Sequence, residues 1–194
     1  MDEKKNLPLV NIIMNCHNGE KFLDKSIDSI LKQSYKNYEL IFYDNNSNDN
    51  SANIVKKKVK KLKYYKNNNT ENLGTARMKA LSMADAKYVA FLDCDDYWHH
   101  NHLSTAINYL ESNLDFNLTY NNVSLIDENE VIIKNKIFNN LKPSGKIFSK
   151  LLASYFLTIA TVVIRNDFIK KNNLNFNKKY NFINDVDLFT KISY

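Results

Sequence analysis

The chain has 194 residues, of which 44% are hydrophobic and 25% are charged, values typical of one folded domain and far from those of a disordered chain. The formal net charge of +6 would suit nucleic acid, an anionic membrane or a phosphorylated substrate, so charge alone selects none of them. No run of about 18 apolar residues could span a bilayer, and the charged start Met1–Lys5 leads into no signal peptide, so we expect a cytoplasmic protein.

Strand-like and helix-like segments alternate through the first half of the chain, which is typical of a mostly parallel sheet flanked by helices. In chain order we predict a strand over 9–16, a helix over 20–33, a strand over 38–43, a helix over 51–62, a strand over 63–65, a helix over 74–84 and a strand over 88–92. Open α/β sheets bind ligands beyond the carboxyl ends of their strands. We therefore expect the active site at that edge of the sheet.

The alternation loosens in the second half of the chain. The residue pattern predicts strand-like pieces over 118–126 and 131–133, separated by the turn Asp127-Glu128-Asn129. A helix over 145–155, a strand over 161–164 and a closing amphipathic helix from about Asn184 follow. Neither a repeat nor a linker interrupts the chain, so we expect one domain.

An acidic cluster, Asp93-Cys94-Asp95-Asp96, directly follows the apolar strand that ends at Leu92. Residues two apart in an extended chain point the same way, so Asp93 and Asp95 form a pair of convergent carboxylates. Such a pair suits a hard cation, Mn²⁺ or Mg²⁺, which can hold a diphosphate through its oxygens. A solvated acidic turn is the alternative, and only the context of other motifs favours the metal site.

Two further turns supply that context. The second strand runs into Asp44-Asn45-Asn46-Ser47, whose acidic and amide groups can accept from a base N–H or a ribose hydroxyl. The third helix begins with Gly74-Thr75-Ala76-Arg77, and Arg77 could reach a carbonyl or phosphate oxygen. Taken singly, these motifs are also compatible with a capped turn and a surface arginine.

Together with 11–20, these motifs stand in an order that resembles the inverting family 2 glycosyltransferases. The resemblance implies the GT-A fold, an α/β fold with a mostly parallel central sheet flanked by helices, and a nucleotide-sugar donor, which we expect to be a UDP-sugar. It implies Asp93 and Asp95 as the residues that hold the metal. The donor-binding residues it implies are His17, Asn18, Asp44, Arg77, Asp93 and Asp96. Departures from the family pattern are Asn15 for proline, His17 for tyrosine, Asn45 for aspartate and Met78 for asparagine.

The segment Asn184-Asp185-Val186-Asp187-Leu188 resembles the family's late Glu-Asp-x-Asp-Leu segment, with asparagine in place of glutamate. By that resemblance Asp185 is the base that deprotonates a hydroxyl of a cell-surface glycan or lipid-linked acceptor. A helix-start acid that complements the helix dipole is the alternative. The resemblance further divides the single domain, 1–194, into a donor-binding half of about 1–113 and an acceptor-side half of about 114–194.

The closing helix reaches Tyr194 with no C-cap glycine and no proline. Because members of the family continue past this helix, we expect a truncated catalytic domain that binds the donor but transfers poorly. Leu188, Phe189 and Ile192 would then expose an apolar patch, which favours a homo-oligomer.

Histidines, cysteines and lysines near these motifs receive plainer interpretations. We expect His99, His100 and His102 to face water at a helix start rather than bind metal, and the two cysteines to form neither a disulfide nor a zinc site. The lysines from Lys56 to Lys63 could touch the inner face of the membrane peripherally, and a solvated helix face is the alternative.

Two other classes of function compete with the transferase. A sugar nucleotidyltransferase would need a glycine-rich phosphate loop after the first strand, where 15–19 holds one glycine. A basic nucleic-acid-binding module would need aromatic residues among the lysines, and only Tyr64 and Tyr65 come close. We therefore expect no nucleic-acid partner.

Overall fold

A six-stranded mixed sheet organises the protein in this computed structural model, which describes residues 7–127, 129, 131–138, 140 and 143–194. The strands are β1 (Val10–Cys16), β2 (Tyr38–Asp44), β3 (Leu62–Lys66), β4 (Tyr88–Phe91), β5 (Leu118–Thr119), β6 (Leu125–Ile126), β7 (Ile132–Lys134) and β8 (Val163–Arg165). The α-helices are α1 (Glu20–Leu31), α2 (Ser51–Lys58), α3 (Leu73–Ser82), α4 (His102–Ser112), α5 (Phe148–Ala153), α6 (Asn166–Lys171) and α7 (Asn184–Ser193), with a 3₁₀ turn over Ile159–Thr161.

The strand order in the sheet is β3-β2-β1-β4-β8-β5, and β6 pairs with β7 in a separate two-stranded sheet. Strands β3, β2, β1 and β4 run parallel, whereas β8 is antiparallel to both β4 and β5. The carboxyl ends of the four parallel strands therefore form one edge, called the carboxyl edge below. The predicted α/β class with a mostly parallel central sheet is confirmed.

Alternate residues of the central strand β1 pack into two different hydrophobic cores. Ile12 and Met14 belong to the core that includes residues of α1 and α4, and Ile13 belongs to the core that includes residues of α3 and α7. Every residue of β1 is buried. The polar Asn11 is accommodated because its Oδ1 accepts the backbone N–H groups of Asp85 and Ala86, each at 2.8 Å.

Several sequence-based boundaries were wrong. Helix α2 ends at Lys58 because Val59 is already extended, with φ −102° and ψ 116°, and Leu62 pairs with β2 as the first residue of β3. The piece 118–126 is two short strands, and the helix predicted over 145–155 is shorter. Helix α6 was not predicted, and α4 was anticipated only as a helix start near His102. Met1–Lys5, and Glu128 of the predicted turn, lie outside the described residues.

The apolar patch expected on the closing helix does not include Leu188 and Phe189, whereas Ile192 is partly exposed. Leu188 and Phe189 are both 0% exposed, because they pack in the core on the α3 side of the sheet, where Phe189 meets Phe91 at a ring distance of 6.3 Å. The proposed reason for self-association is therefore wrong for these two residues. Among the described residues, no helix has both the length and the apolar character needed to cross a bilayer.

Candidate active site

The acidic turn that follows β4 is held from behind by α1. The Asp96 N–H donates to the Asp93 carbonyl at 3.1 Å, which closes the turn. The Ser26 hydroxyl of α1 lies 2.7 Å from the Asp96 carbonyl and 3.2 Å from that of Asp93. Asp93 is half-buried, whereas the side chains of Asp95 and Asp96 reach solvent. The turn therefore has a fixed backbone and presents its carboxylates at the carboxyl edge.

Arg77 of α3 joins this turn to the start of α7. Its Nη2 atom lies 2.8 Å from both carboxylate oxygens of Asp93, and its Nη1 donates to Oδ1 of Asn184 at 2.9 Å. Arg77 is 5% exposed as a residue, and its guanidinium carbon lies 6.0 Å from the ring centre of Phe176. Arg77 is therefore a buried connector in this structure, unlike the surface arginine that its motif alone allowed.

The segment 177–181 delivers α7 to this position by packing on the first turn of α3. Asn72 caps α3 by accepting the Thr75 N–H at 2.8 Å, and its Nδ2 donates to the Lys178 carbonyl at 3.0 Å. A Cβ atom on Gly74 would lie only 2.1 Å from the Tyr180 carbonyl oxygen, so the backbone can approach this closely only at a glycine. The fully buried Asn184 is thereby brought to Arg77.

Asp185 follows Asn184 in the first turn of α7. It is half-buried, and the Tyr155 hydroxyl donates to its Oδ2 at 3.4 Å. Burial, followed by the charge of Asp185, raises the pKa of Tyr155, so this hydroxyl keeps its proton as a donor. Asp187 instead forms an ion pair with Lys191 at 2.6 Å. Asp185 is therefore the carboxylate of this turn that faces no described cation. Sequence reasoning missed Tyr155, because no local motif marks it.

The turns after β1 and β2 are bound to each other by backbone and side-chain hydrogen bonds. The Asn45 N–H donates to the Cys16 carbonyl, and the Gly19 N–H donates to the Ser51 hydroxyl. His17 and Asn18 are both exposed. His17 Nδ1 lies 2.9 Å from the Asn45 carbonyl oxygen, and Asn18 Oδ1 accepts from the Asn48 N–H at 2.9 Å. The two turns therefore form one wall of the carboxyl edge.

Asp44 lies inside this wall and is 0% exposed. One of its oxygens accepts the Ser47 N–H at 2.7 Å and the other accepts the Tyr64 hydroxyl at 2.5 Å. Contact between Asp44 and a nucleotide stays a prediction, and because Asp44 is 0% exposed it would require a neighbouring residue to move. Asn45 is likewise engaged, since its side chain makes a reciprocal pair of hydrogen bonds with the Glu71 backbone.

Asn15 is a polar residue that sequence reasoning noted only as a departure from the family pattern. It is 9% exposed, and its Nδ2 has no hydrogen-bond partner among the described residues. A buried amide N–H without a partner costs about 1–3 kcal/mol, so such an atom at the carboxyl edge points to a ligand. The sequence did contain a signal for this residue, because Asn15 is an amide at the last position but one of a buried strand.

The carboxylates of Asp93, Asp95 and Asp96 crowd together in the acidic turn. Desolvation, followed by the charges of Asp93 and Asp95, raises the pKa of Asp96 to about 6, although Arg77 acts in the opposite direction. A divalent cation beside Asp95 would relieve this repulsion. Within the described part of the chain, no three His, Cys, Asp or Glu side chains form a metal-binding group. Mg²⁺ commonly takes only one or two carboxylates and completes its shell with substrate phosphates and water, so the donor set fits that arrangement.

The structure bears on the expectations for His102 and for the lysine-rich run from Lys56 to Lys63. His102 is 7% exposed and stacks on Trp98 at 4.6 Å, so it does not face water as expected. In the lysine-rich run, Lys58 forms ion pairs with Asp24 and Asp28, Lys63 pairs with Glu39 and Asp85, and Lys56 lies 3.9 Å from the Tyr64 ring centre. Part of this run is therefore engaged within the protein, and membrane contact stays a prediction.

Comparison with known proteins places this geometry in a family. The chain is 34% identical over 158 residues to UDP-Glc:alpha-D-GlcNAc-diphosphoundecaprenol beta-1,3-glucosyltransferase WfgD of Escherichia coli, covering 80% of this chain and 60% of that protein. It is 32% identical over 193 residues to the uncharacterized glycosyltransferase MJ1057 of Methanocaldococcus jannaschii, covering 95% of this chain and 64% of that protein. The chain thus spans less than two thirds of the length of these two relatives.

Solved structures confirm the GT-A fold. The crystal structure of S. aureus TarS matches with a TM-score of 0.76 and 24% identity, over 95% of this chain and 33% of that one. The mannosyltransferase PcManGT from Pyrobaculum calidifontis, in complex with GDP-Man and Mn²⁺, matches with a TM-score of 0.71 and 16% identity, over 97% of this chain and 52% of that one. The family described as Glycosyl transferase family 2 matches residues 11–180, a range that includes β1, the turns after β2 and β4, and Arg77. This protein therefore belongs to glycosyl transferase family 2.

Proposed function

We propose that this chain is the core of an inverting glycosyltransferase that moves a sugar from a UDP-sugar to a hydroxyl of a lipid-linked glycan. The observation that carries the proposal is the Arg77 bridge, because it joins Asp93 of the acidic turn to the residue next to Asp185. The name of WfgD supports the substrate classes, since it specifies UDP-Glc and a diphosphoundecaprenol-linked acceptor. TarS has also been crystallised with UDP and with UDP-GlcNAc.

The donor would bind along the carboxyl edge, with the half of about 1–113 supplying its site. In this proposal the exposed His17 and Asn18 contact the nucleotide, and the unpartnered Asn15 Nδ2 donates to a carbonyl oxygen of the base. Asp44 acts mainly by shaping the wall, because it is 0% exposed and its oxygens accept from Ser47 and Tyr64. In this proposal Asp93 and Asp96 contact the ribose and the diphosphate.

Asp95, with help from Asp93, would hold Mn²⁺ or Mg²⁺. Bound there, the cation would neutralise charge on the departing nucleotide diphosphate. Asp95 suits this role because its side chain reaches solvent, whereas Asp93 already receives Arg77. Arg77 keeps Asp93 oriented and limits the repulsion among the three carboxylates.

Asp185 would act as the general base from the half of about 114–194. It takes the proton of the acceptor hydroxyl while that oxygen forms a bond to C1 of the sugar, and the bond from C1 to the diphosphate oxygen breaks on the opposite face. Tyr155 orients Asp185 through its hydroxyl. The configuration at C1 is inverted by this single displacement.

Titration calorimetry with UDP tests the donor site. We expect binding in Mn²⁺, little binding in EDTA, and a loss of the Mn²⁺-dependent part in Asp95→Ala. Asp115→Ala is the control, because Asp115 is an exposed aspartate away from the acidic turn. Equal UDP affinity in EDTA and in Mn²⁺ would refute the metal site.

Asp185→Asn tests the base. We expect sugar transfer to fall about 10²- to 10⁴-fold, the usual contribution of general-base catalysis, while UDP binding is kept. Asp187→Asn is the matched control, because that residue lies in the same turn but pairs with Lys191. Initial rates with a lipid-linked acceptor measure both variants, and a rate for Asp185→Asn equal to that of the wild type would remove this residue from the mechanism.

A further inference from the structure

The two cysteines of the chain, far apart in sequence, lie side by side at the carboxyl edge. Strand β1 pairs with β4 in a parallel register that runs from Val10–Tyr88 to Ile13–Phe91, and the Leu92 N–H continues it by donating to the Ile13 carbonyl at 3.1 Å. The same register, extended by three residues, sets Cys94 beside Cys16.

The sulfur atoms themselves meet over Gly19. A Cβ atom at Gly19 would lie 2.7 Å from the Cys16 sulfur and 3.0 Å from the Cys94 sulfur. Both cysteines are free, Cys16 being buried and Cys94 partly exposed. The pair is therefore close enough to react and is reached by solvent from the Cys94 side.

We propose that Cys16 and Cys94 form a reversible disulfide under oxidation by a hydroperoxide, and that this bond switches off nucleotide binding. One thiol is oxidised to a sulfenic acid as the peroxide O–O bond breaks and the reduced product leaves as water or an alcohol. The other sulfur then attacks the sulfenic sulfur, and a water molecule departs as the S–S bond forms. A dithiol reductant restores both thiols by exchange. The expectation that the cysteines form no disulfide then holds only for the reduced protein.

The disulfide would affect nucleotide binding because the sulfur of Cys94 is free to move and that of Cys16 is not. Cys16 is the last residue of the central strand, and its carbonyl accepts the Asn45 N–H at 2.8 Å. Cys94 lies in the turn between Asp93 and Asp95. An S–S bond is about 2.0 Å long, shorter than any contact between free thiols, so forming it must draw the Cys94 side chain towards Cys16 and pull on the turn that holds Asp93 and Asp95. Disulfides of cytosolic enzymes are usually transient and redox-sensing, in agreement with such a switch.

Mass spectrometry tests the bond independently of any ligand. Because the chain has two cysteines, an intramolecular disulfide can join only Cys16 to Cys94. After treatment with hydrogen peroxide we expect a mass loss of two hydrogens, a linked peptide pair on digestion without reductant, and full reversal by dithiothreitol. Neither Cys16→Ala nor Cys94→Ala should show the mass loss. Independent oxidation of each cysteine to sulfinic acid, or disulfides formed only between molecules, would overturn the proposal.

UDP binding in Mn²⁺ tests the switch, and this half rests on the proposed function. We expect the affinity of the oxidised protein to fall at least about tenfold, because ligating side chains must be held to within about 0.5 Å. The reduced protein and both alanine variants, treated in the same way, should keep full affinity. A verified disulfide with unchanged UDP affinity would overturn the switch. A reduced protein that does not bind UDP would instead refute the proposed function, while the disulfide result would stand on the mass alone.

Discussion

Replacing Arg77 by methionine should destabilise the protein far more than the same substitution at a neighbouring surface lysine. Methionine fills similar space but removes the charge and the donors. Asn184 is fully buried, so loss of its donor leaves an unsatisfied acceptor, which costs about 1–3 kcal/mol. The Asp93 side chain is 31% exposed, so water replaces part of the lost partner and this loss adds only about 1 kcal/mol. We expect a total loss of about 2–4 kcal/mol in the free energy of unfolding.

Lys79→Met is the matched control. Lys79 lies on the same helix as Arg77 and pairs with Glu71 at 2.5 Å, but its side chain is 39% exposed. Pairs of this kind contribute at most about 1 kcal/mol. Urea unfolding, followed by the fluorescence of the buried Trp98, would measure the free energy of unfolding of both variants. The two values are compared at the same dependence on urea concentration. An equal effect at the two positions would refute the argument that burial of the bridge decides its contribution.

A double-mutant cycle isolates the ion pair itself. Asp93→Ala alone leaves the Arg77 guanidinium, 7% exposed at the side chain, without an anion, which should cost about 3–5 kcal/mol. Adding Arg77→Met to that variant removes the buried charge, so the double variant should be more stable than the sum of the single losses predicts. We expect a coupling of about 1–3 kcal/mol. Additive losses would show that the two side chains contribute independently.

Two further predictions concern His102 and Gly74. Burial lowers the pKa of His102 from 6.5 to about 4, so as the pH falls the unfolded chain binds a proton before the folded protein does. The contribution of His102 to the free energy of unfolding is therefore fully present above pH 6.5 and is lost as the pH falls towards 4. Urea unfolding at the two pH values should show a drop that is about 3 kcal/mol larger in the wild type than in His102→Phe, and equal drops would contradict the assignment. Gly74→Ala should cost about 1–3 kcal/mol, because its Cβ would strike the Tyr180 carbonyl oxygen, and should slow transfer by displacing α7. Gly145→Ala, where φ is +79° and nothing lies within 4 Å, should lower stability by about 1–2 kcal/mol without affecting UDP binding.

The fold was predictable where periodicity and burial agree. Strands β1, β2 and β4 are largely apolar and are bounded by polar turns, and their ends lie within one residue of the predicted positions. Prediction failed where tertiary pairing outweighs helical period, as at Val59, whose spacing fits a helix although the chain there is already extended towards β3. The second half contains short strands whose pairing depends on distant partners, and no local pattern carries that information.

The site was predictable as a set of motifs but not as a set of contacts. The sequence identified Asp93, Arg77 and Asp185 separately, because each stands at a recognisable element end. Their connection depends on Gly74 allowing the segment 177–181 to pack on α3, a contact between positions about a hundred residues apart in the chain. Burial of His102 against Trp98 was missed for the same reason, since its local context resembles an exposed helix start.

The Arg77 bridge also bears on how variants of this protein are to be interpreted. Its two partners belong to the two halves of the proposed site, Asp93 on the donor side and Asn184 beside the proposed base. A change at Asp93 therefore removes a donor-side carboxylate and also releases the guanidinium that orients the start of α7. Loss of transfer in an Asp93 variant cannot on that account be assigned to metal binding alone. Asp95, which has no such link to α7 among the described contacts, separates the two effects, because its replacement should weaken UDP binding in Mn²⁺ while the Arg77 bridge stays in place.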